Sequence, residues 1–147
     1  MRLDRLTVSS PAWVWAVAIY LAVGMTYLAI TPSERLQAHT PYNHYALQAE
    51  AWLAGRLDLG GPPPRYTGNN DFALYQDAHY VSFPPVPALL MLPAVAIAGS
   101  AEAVRDAWWF AAIAPFGPAL VFIALERLGA RGRSRWLNAL LSLLLGV

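Results

Sequence analysis

The sequence predicts an all-α integral membrane protein with three transmembrane helices, a truncated fourth, and one large extracytoplasmic loop carrying an amphipathic helix and a short hairpin. Three observations predict this. The chain of 147 residues is 57% hydrophobic and 13% charged, against roughly a quarter charged in soluble domains. Two charge-free runs, residues 12–30 and 107–125, each approach the ~20 residues that cross a ~30 Å hydrocarbon core at about 1.5 Å per residue. Between the apolar runs lies a polar, aromatic and acidic interval. The expected spans are residues 12–31, 84–99, 107–125 and a truncated 136–147, with the loop at 32–83. Because the last run stops short of a crossing length, the chain is expected to be the N-terminal part of a larger polytopic domain.

Composition excludes several function classes. All ten basic residues are arginine and the formal net charge is +1, which gives no electrostatic reason to expect a nucleic acid partner. With no cysteine, disulfides, thiolate catalysis and cysteine-based zinc sites are ruled out.

Residues 1–11 form a short basic leader, with Arg2 and Arg5 against Asp4. The run that follows is longer than the ~7–15-residue core of a signal peptide and no A-x-A site follows it, so it reads as a span. Trp13 and Trp15 near one end and Tyr27 near the other suit an aromatic belt. A basic leader stays in the cytoplasm, which sends residue 31 onward to the outside.

Within the loop, Thr40 is the expected N-cap of a helix, Pro41 its first residue and Gly55 its C′ residue. Tyr45, Ala49, Trp52 and Leu53 fall on one face of that helix, and Asn43, Leu47 and Glu50 on another. Such a helix is expected to lie along the membrane surface. The GGPPP stretch at 60–64 rules out regular structure, and 69–71 reads as a turn. Residues 73–75 and 80–83 are expected to pair as a hairpin around 76–79, although Asp-Ala lacks the glycine that a tight primed turn prefers. Pro84 and Pro85 suit a helix start, Pro93 should kink the second run, and Pro115 and Pro118 should bend the third. Three full spans place the arginine-rich 126–135 stretch outside, against the positive-inside tendency; the three-span reading accepts that exception.

One order of features carries a resemblance. A short leader and one span are followed by a large outside loop with a helix near its start. A proline pair then opens the second run, before Gly99-Ser100-Ala101-Glu102-Ala103-Val104-Arg105 and a third span ending Glu126-Arg127-Leu128-Gly129. This order resembles the N-terminal part of the GT-C membrane glycosyltransferases, and most the branch of protein mannosyltransferases and lipid A aminoarabinose transferases. It covers nearly the whole chain. The resemblance implies a many-helix enzyme that takes a sugar from a polyprenyl-phosphate carrier at the outer membrane face. It also implies an acidic residue early in the first outside loop, often in an Asp-Glu pair followed by Tyr and Ala. The matching positions here read Asn43-His44-Tyr45-Ala46, and Asn43 cannot take a proton.

A general base for glycosyl transfer must be a carboxylate or neutral imidazole within hydrogen-bond reach of the acceptor hydroxyl. Asp77, at a turn just before the proline pair, is the first candidate, Asp71 the second and His44 the third. Against them, an Asp in a turn most often caps its own backbone, and a histidine on an amphipathic helix is most simply a surface residue. Arg56 and Arg65 are candidates for holding the carrier phosphate through bidentate hydrogen bonds, or for facing lipid headgroups. Asn43 and Glu50 complete the candidate substrate-binding set, Glu50 being otherwise a solvated residue. Arg105 and Asp106 read as a local ion pair at a helix start.

His39, His44 and His79 lack the i, i+4 spacing of a zinc-binding pair, so no metal site and no cofactor are expected. A divalent cation stays open, since related enzymes use one against the carrier phosphate. The expected partners are the lipid bilayer, a polyprenyl-phosphate-linked sugar and an acceptor the sequence does not name. Two other classes compete. A non-catalytic scaffold or assembly subunit fits Asn43 in the acid position. A transporter fragment fits the proline-broken helices, although a transporter places ionisable residues inside its spans and these runs have none.

Overall fold

A computed structural model of the chain describes residues 10–69, 71–128 and 135–146. Arg2, Asp4, Arg5, Asn70 and the 129–134 portion of the arginine-rich stretch lie outside the described residues. The order is α1 (Ala12–Ile30), α2 (Ser33–Gln37), α3 (His44–Leu53), a 3-10 turn (Arg65–Thr67), β1 (Phe72–Tyr75), β2 (Ala78–Val81), α4 (Val86–Ala98), α5 (Asp106–Ile113), α6 (Phe116–Arg127) and α7 (Arg135–Gly146). The chain groups into two units: Met1–Ile30 with Ala111–Val147, and Thr31–Phe110.

In the first unit, Ala16, Ile19 and Val23 of α1 form a core with Ala119 and Phe122 of α6 and Ala139 of α7. The side of α1 away from that core, with Trp13, Val17, Leu21 and Met25, stays exposed and apolar. Two helical stretches, Ala12–Ile30 and Asp106–Arg127, are long and apolar enough to cross a membrane. Pro115 interrupts the second, because proline has no N–H and its ring crowds the preceding turn; α5 ends at Ile113 and α6 restarts at Phe116 with Pro115 as its N-cap. The last carbonyls of a helix have no partner within it. One of them, on Ala112, accepts the Tyr20 hydroxyl at 2.7 Å.

Several polar side chains of this unit gather where α1 and α7 start and α6 ends. Arg135 Nε and Asn138 Nδ2 donate to the two carboxylate oxygens of Glu126 at 2.9 and 2.7 Å. Arg135 also donates to the Ser10 carbonyl, and the Trp15 indole N–H donates to Ser10 Oγ at 2.7 Å. The start of α1, the end of α6 and the start of α7 are thereby tied together.

These features correct the expected span count. The run expected to cross at 84–99 folds as α4, a helix of 13 residues. At about 1.5 Å per residue it is roughly 20 Å long, short of a ~30 Å core. The described α7 has 12 residues. Among the described residues two helices, not three, are long and apolar enough to cross, and α7 coincides with the expected truncated run. The Arg135 bond to the Ser10 carbonyl places the start of α1 and the start of α7 at the same end of this unit.

In the second unit the core lies between α3 and α4. Ala46, Leu47 and Ala49 meet Met91 and Val95, with Ala101 and Val104 from the following connector. Alanines on α3 leave room for α4 to approach closely, and this corrects the expected surface helix. Asn43 and Leu47 from one expected face and Ala49 from the other are buried, while Leu53 is 51% exposed. The helix also starts later than expected. Thr40 is not its N-cap, because its side chain is turned onto Asp106, and Asn43 holds the cap position without a side-chain cap bond. The C-terminus is as expected. Gly55 (φ 72°) follows Ala54, its N–H bonds to the Trp52 carbonyl, and the Arg56 N–H bonds to the Ala51 carbonyl, the paired pattern of a Schellman ending.

The hairpin forms with a shifted register. Phe72 pairs with Val81 and Tyr75 with Ala78, so the turn is Gln76-Asp77 and not Asp-Ala. Both turn residues have positive φ, 48° and 60°, as a two-residue type I′ connection requires. The Leu59 N–H bonds to the His79 carbonyl at 2.9 Å, which fastens the loop after α3 to β2.

Candidate functional site

The polar interior of the second unit is built from two buried pairs. Thr40 donates its backbone N–H to Asp106 Oδ1 at 2.8 Å and its hydroxyl to Oδ2 at 2.5 Å. Asp106 is 1% exposed, so this carboxylate is a fixed pin between the segment before α3 and the start of α5. It does not form the local pair with Arg105 that the sequence suggested. Asn43, fully buried, donates to the Tyr66 hydroxyl at 3.2 Å and to the Ala101 carbonyl at 3.4 Å. Its Oδ1 has no partner. The His39 ring packs 4.7 Å from that of Tyr66. Burial pushes the Tyr66 hydroxyl above its usual pKa; the Asn43 bond opposes this, and the negative charges of Glu102, Glu50 and Asp106 add to it.

Two recesses meet at one arginine. A cavity of about 310 Å³ is lined by Glu50, Arg56, Ser100 and Glu102, with Pro62 and Pro64 among its walls. A groove of about 410 Å³ is lined by Trp52, Leu57, Pro85, Leu89 and, again, Arg56. The sequence places Arg56 here for local reasons. The Schellman ending turns the chain at Gly55, and at Gly60 (φ 74°) a Cβ would occupy the place of the Arg56 guanidinium. Glycine at position 60 therefore lets the guanidinium lie against the loop. Asp58 Oδ1 accepts the Gly60 N–H at 2.6 Å and sets that loop. The result is a cation with two carboxylates on one side and an aromatic and aliphatic wall on the other.

The sequence-predicted residues divide around this arrangement. Glu50 and Arg56 come together in the cavity. Asp77 is exposed at the tip of the hairpin, and Asp71 is exposed in a left-handed conformation (φ 69°) with its carbonyl accepting the Ser82 N–H. Arg65 is exposed in the 3-10 turn. His44 is 2% exposed, between Phe72 at 4.8 Å and Phe83 at 5.5 Å, so it is a core residue and not a surface histidine. None of these four lines the cavity. Asn43 is buried as the partner of Tyr66 and does not line the cavity. Sequence reasoning missed Glu102, Tyr66 and the role of Asp106. Glu102 was within reach, as the one carboxylate inside the Gly99–Arg105 motif.

Among the described residues no group of three or more His, Asp or Glu side chains is arranged to hold a metal ion. No family model, no curated protein and no solved structure matches the chain.

Proposed function

We propose that the chain is part of a membrane glycosyltransferase that moves a sugar from a polyprenyl-phosphate donor to an acceptor at the outer membrane face. The observation that carries this reading is Arg56, shared by an apolar groove and a carboxylate-lined cavity. A polyprenyl-phosphate sugar has the same three parts in the same order. Its isoprenoid chain would rest on Trp52, Leu57 and Leu89, its phosphate would take charge-assisted hydrogen bonds from Arg56, and its sugar would enter the cavity. There Glu50 or Glu102 would take the proton of the acceptor hydroxyl as its oxygen bonds to the anomeric carbon, while the polyprenyl phosphate leaves against Arg56. This assignment moves the base away from Asp77 and Asp71. In this reading the leader and the arginine-rich stretch lie in the cytoplasm and Thr31–Phe110 outside, an arrangement supported by the two candidate spans and by the basic character of both stretches in the sequence.

Titrating the detergent-solubilised chain with a long-chain polyprenyl phosphate, read by tryptophan fluorescence, tests the reading. The intact chain should bind. Arg56→Ala should weaken binding by about tenfold, equivalent to ~1.4 kcal/mol, whereas Asp71→Asn and Asp77→Asn should leave it unchanged. An intact chain that ignores polyprenyl phosphate would reject the proposal.

A further inference from the structure

α4 has no polar side chain at any of its 13 positions, yet protein covers only one side of it. Ala88, Met91 and Val95 are buried against the α3 side of the unit, while Val86, Leu89, Leu90 and Ile97 are 45–88% exposed. A helix that is apolar all round belongs in a protein core or in lipid, and only the Ala88–Met91–Val95 side of this one is in a core. Its C-terminal end gives its level. Ala94 and Ala98 share a recess with Trp108 and Trp109, the aromatic residues at the opening of the candidate span Asp106–Arg127, where tryptophans favour the interface between headgroups and acyl chains. Pro93 supplies no N–H to the Leu89 carbonyl, which a helix at the interface can leave to water and one deep in hydrocarbon cannot.

From these observations we infer that α4 lies in the membrane plane within one leaflet, its exposed face against acyl chains, and sets the depth of the Glu50–Glu102 cavity. The inference rests on the reading of the two long helices as spans. Packed helix axes are about 8–10 Å apart, so α3, which carries Glu50, stands at headgroup height when α4 is at the acyl boundary. The cavity is then held where a carrier phosphate sits.

The absence of cysteine allows the test in the full chain. Nitroxide-labelled single cysteines at Leu90 and Ile97, both exposed positions, are compared in phosphatidylcholine–phosphatidylglycerol vesicles with labels at Leu21 on α1 and at Asp77. The inference expects Leu90 and Ile97 to be open to oxygen, shielded from a nickel chelate, and within about 10 Å of the headgroup boundary, with Asp77 open to nickel. Labels at 90 and 97 as nickel-accessible as Asp77, or shielded from both reagents by a protein surface, would overturn it, as would depths about a helix length apart. Nickel access at Leu21 as well would reject the membrane reading itself, whereas a lipid-buried Leu21 confines the failure to α4.

Discussion

In the unit built from α1, α6 and α7, the charged side chains of the described residues lie at the end of α6 and the start of α7, where Glu126 accepts from Arg135 and Asn138 and Arg135 also donates to the Ser10 carbonyl. In the unit at Thr31–Phe110 polar groups are also buried, with Thr40 on Asp106 and Asn43 on Tyr66, while the half-buried Glu50 and the exposed Glu102 line a cavity. Both units are rich in alanine, leucine and aromatic residues, so hydrophobicity alone does not separate them. What separates them is where a polar group finds its partner. Within α1 and α7 the hydroxyls of Thr26 and Ser142 are satisfied by backbone carbonyls of their own helices, as a long apolar helix requires where an unsatisfied group in lipid costs several kcal/mol. The second unit instead holds a buried carboxylate, Asp106, by two hydrogen bonds from Thr40, and leaves Asn43 Oδ1 without a partner.

The sharpest way to break this comparison is topological. Reporter fusions at Ser100 and Gly132 should report opposite sides, Ser100 outside and Gly132 in the cytoplasm. The reversed result would restore the three-span count and dissolve the division between a membrane unit and an outside unit.

Next in size is the buried pin of the second unit. Asp106→Ala leaves the Thr40 N–H and hydroxyl without their acceptor, and hydrogen bonds to a charged group are worth about 1.5–3 kcal/mol each. A loss of roughly 3 kcal/mol is expected, read as earlier denaturant unfolding and faster proteolysis within Thr31–Phe110. Asp106→Asn, which keeps one acceptor oxygen, should lose less. Equal stability of Asp106→Ala and the parent would show that the interior pairs do not hold this unit together.

Tyr66 sharpens the comparison through pH. Its hydroxyl is held above the ordinary value of 10.0, chiefly by burial, so the unfolded chain gives up this proton first. The stability involved is complete below about pH 10 and is lost as the pH rises through the raised value. Tyr66→Phe should flatten that alkaline loss in a thermal melt series; an unchanged alkaline limb would assign it to other groups. The smallest effect belongs to the hairpin. Replacing Gln76-Asp77 by Asn-Gly gives both positive-φ positions their preferred residues and should add roughly 1 kcal/mol. It should leave polyprenyl-phosphate binding untouched. Weaker binding would return Asp77 to the site.

The contrast also explains what could be read in advance. The Gly55 ending was legible because a helix stop is local: a left-handed residue and two hydrogen bonds within six residues. The hairpin was legible as an element but its register was not, since nothing in the local pattern marked Gln76-Asp77 as a turn with two positive φ values. The burial of α3 was hidden because alanine fits a solvent face and a close helix contact equally well. Asp106 looked like a partner for its neighbour Arg105, and only the fold brings Thr40 to it from 66 positions away.

By itself, the sequence determined the apolar runs, the polar interval between them and the places where proline and glycine stop helices, all of them matters of composition and short-range sterics. The tertiary structure alone decided that Ser10 and Arg135 meet, that Thr40 is pinned to Asp106, and that Glu50, Arg56 and Glu102 line one cavity. Those outcomes depend on which surfaces meet, and contact between residues far apart in the chain leaves no period or spacing for the sequence to display.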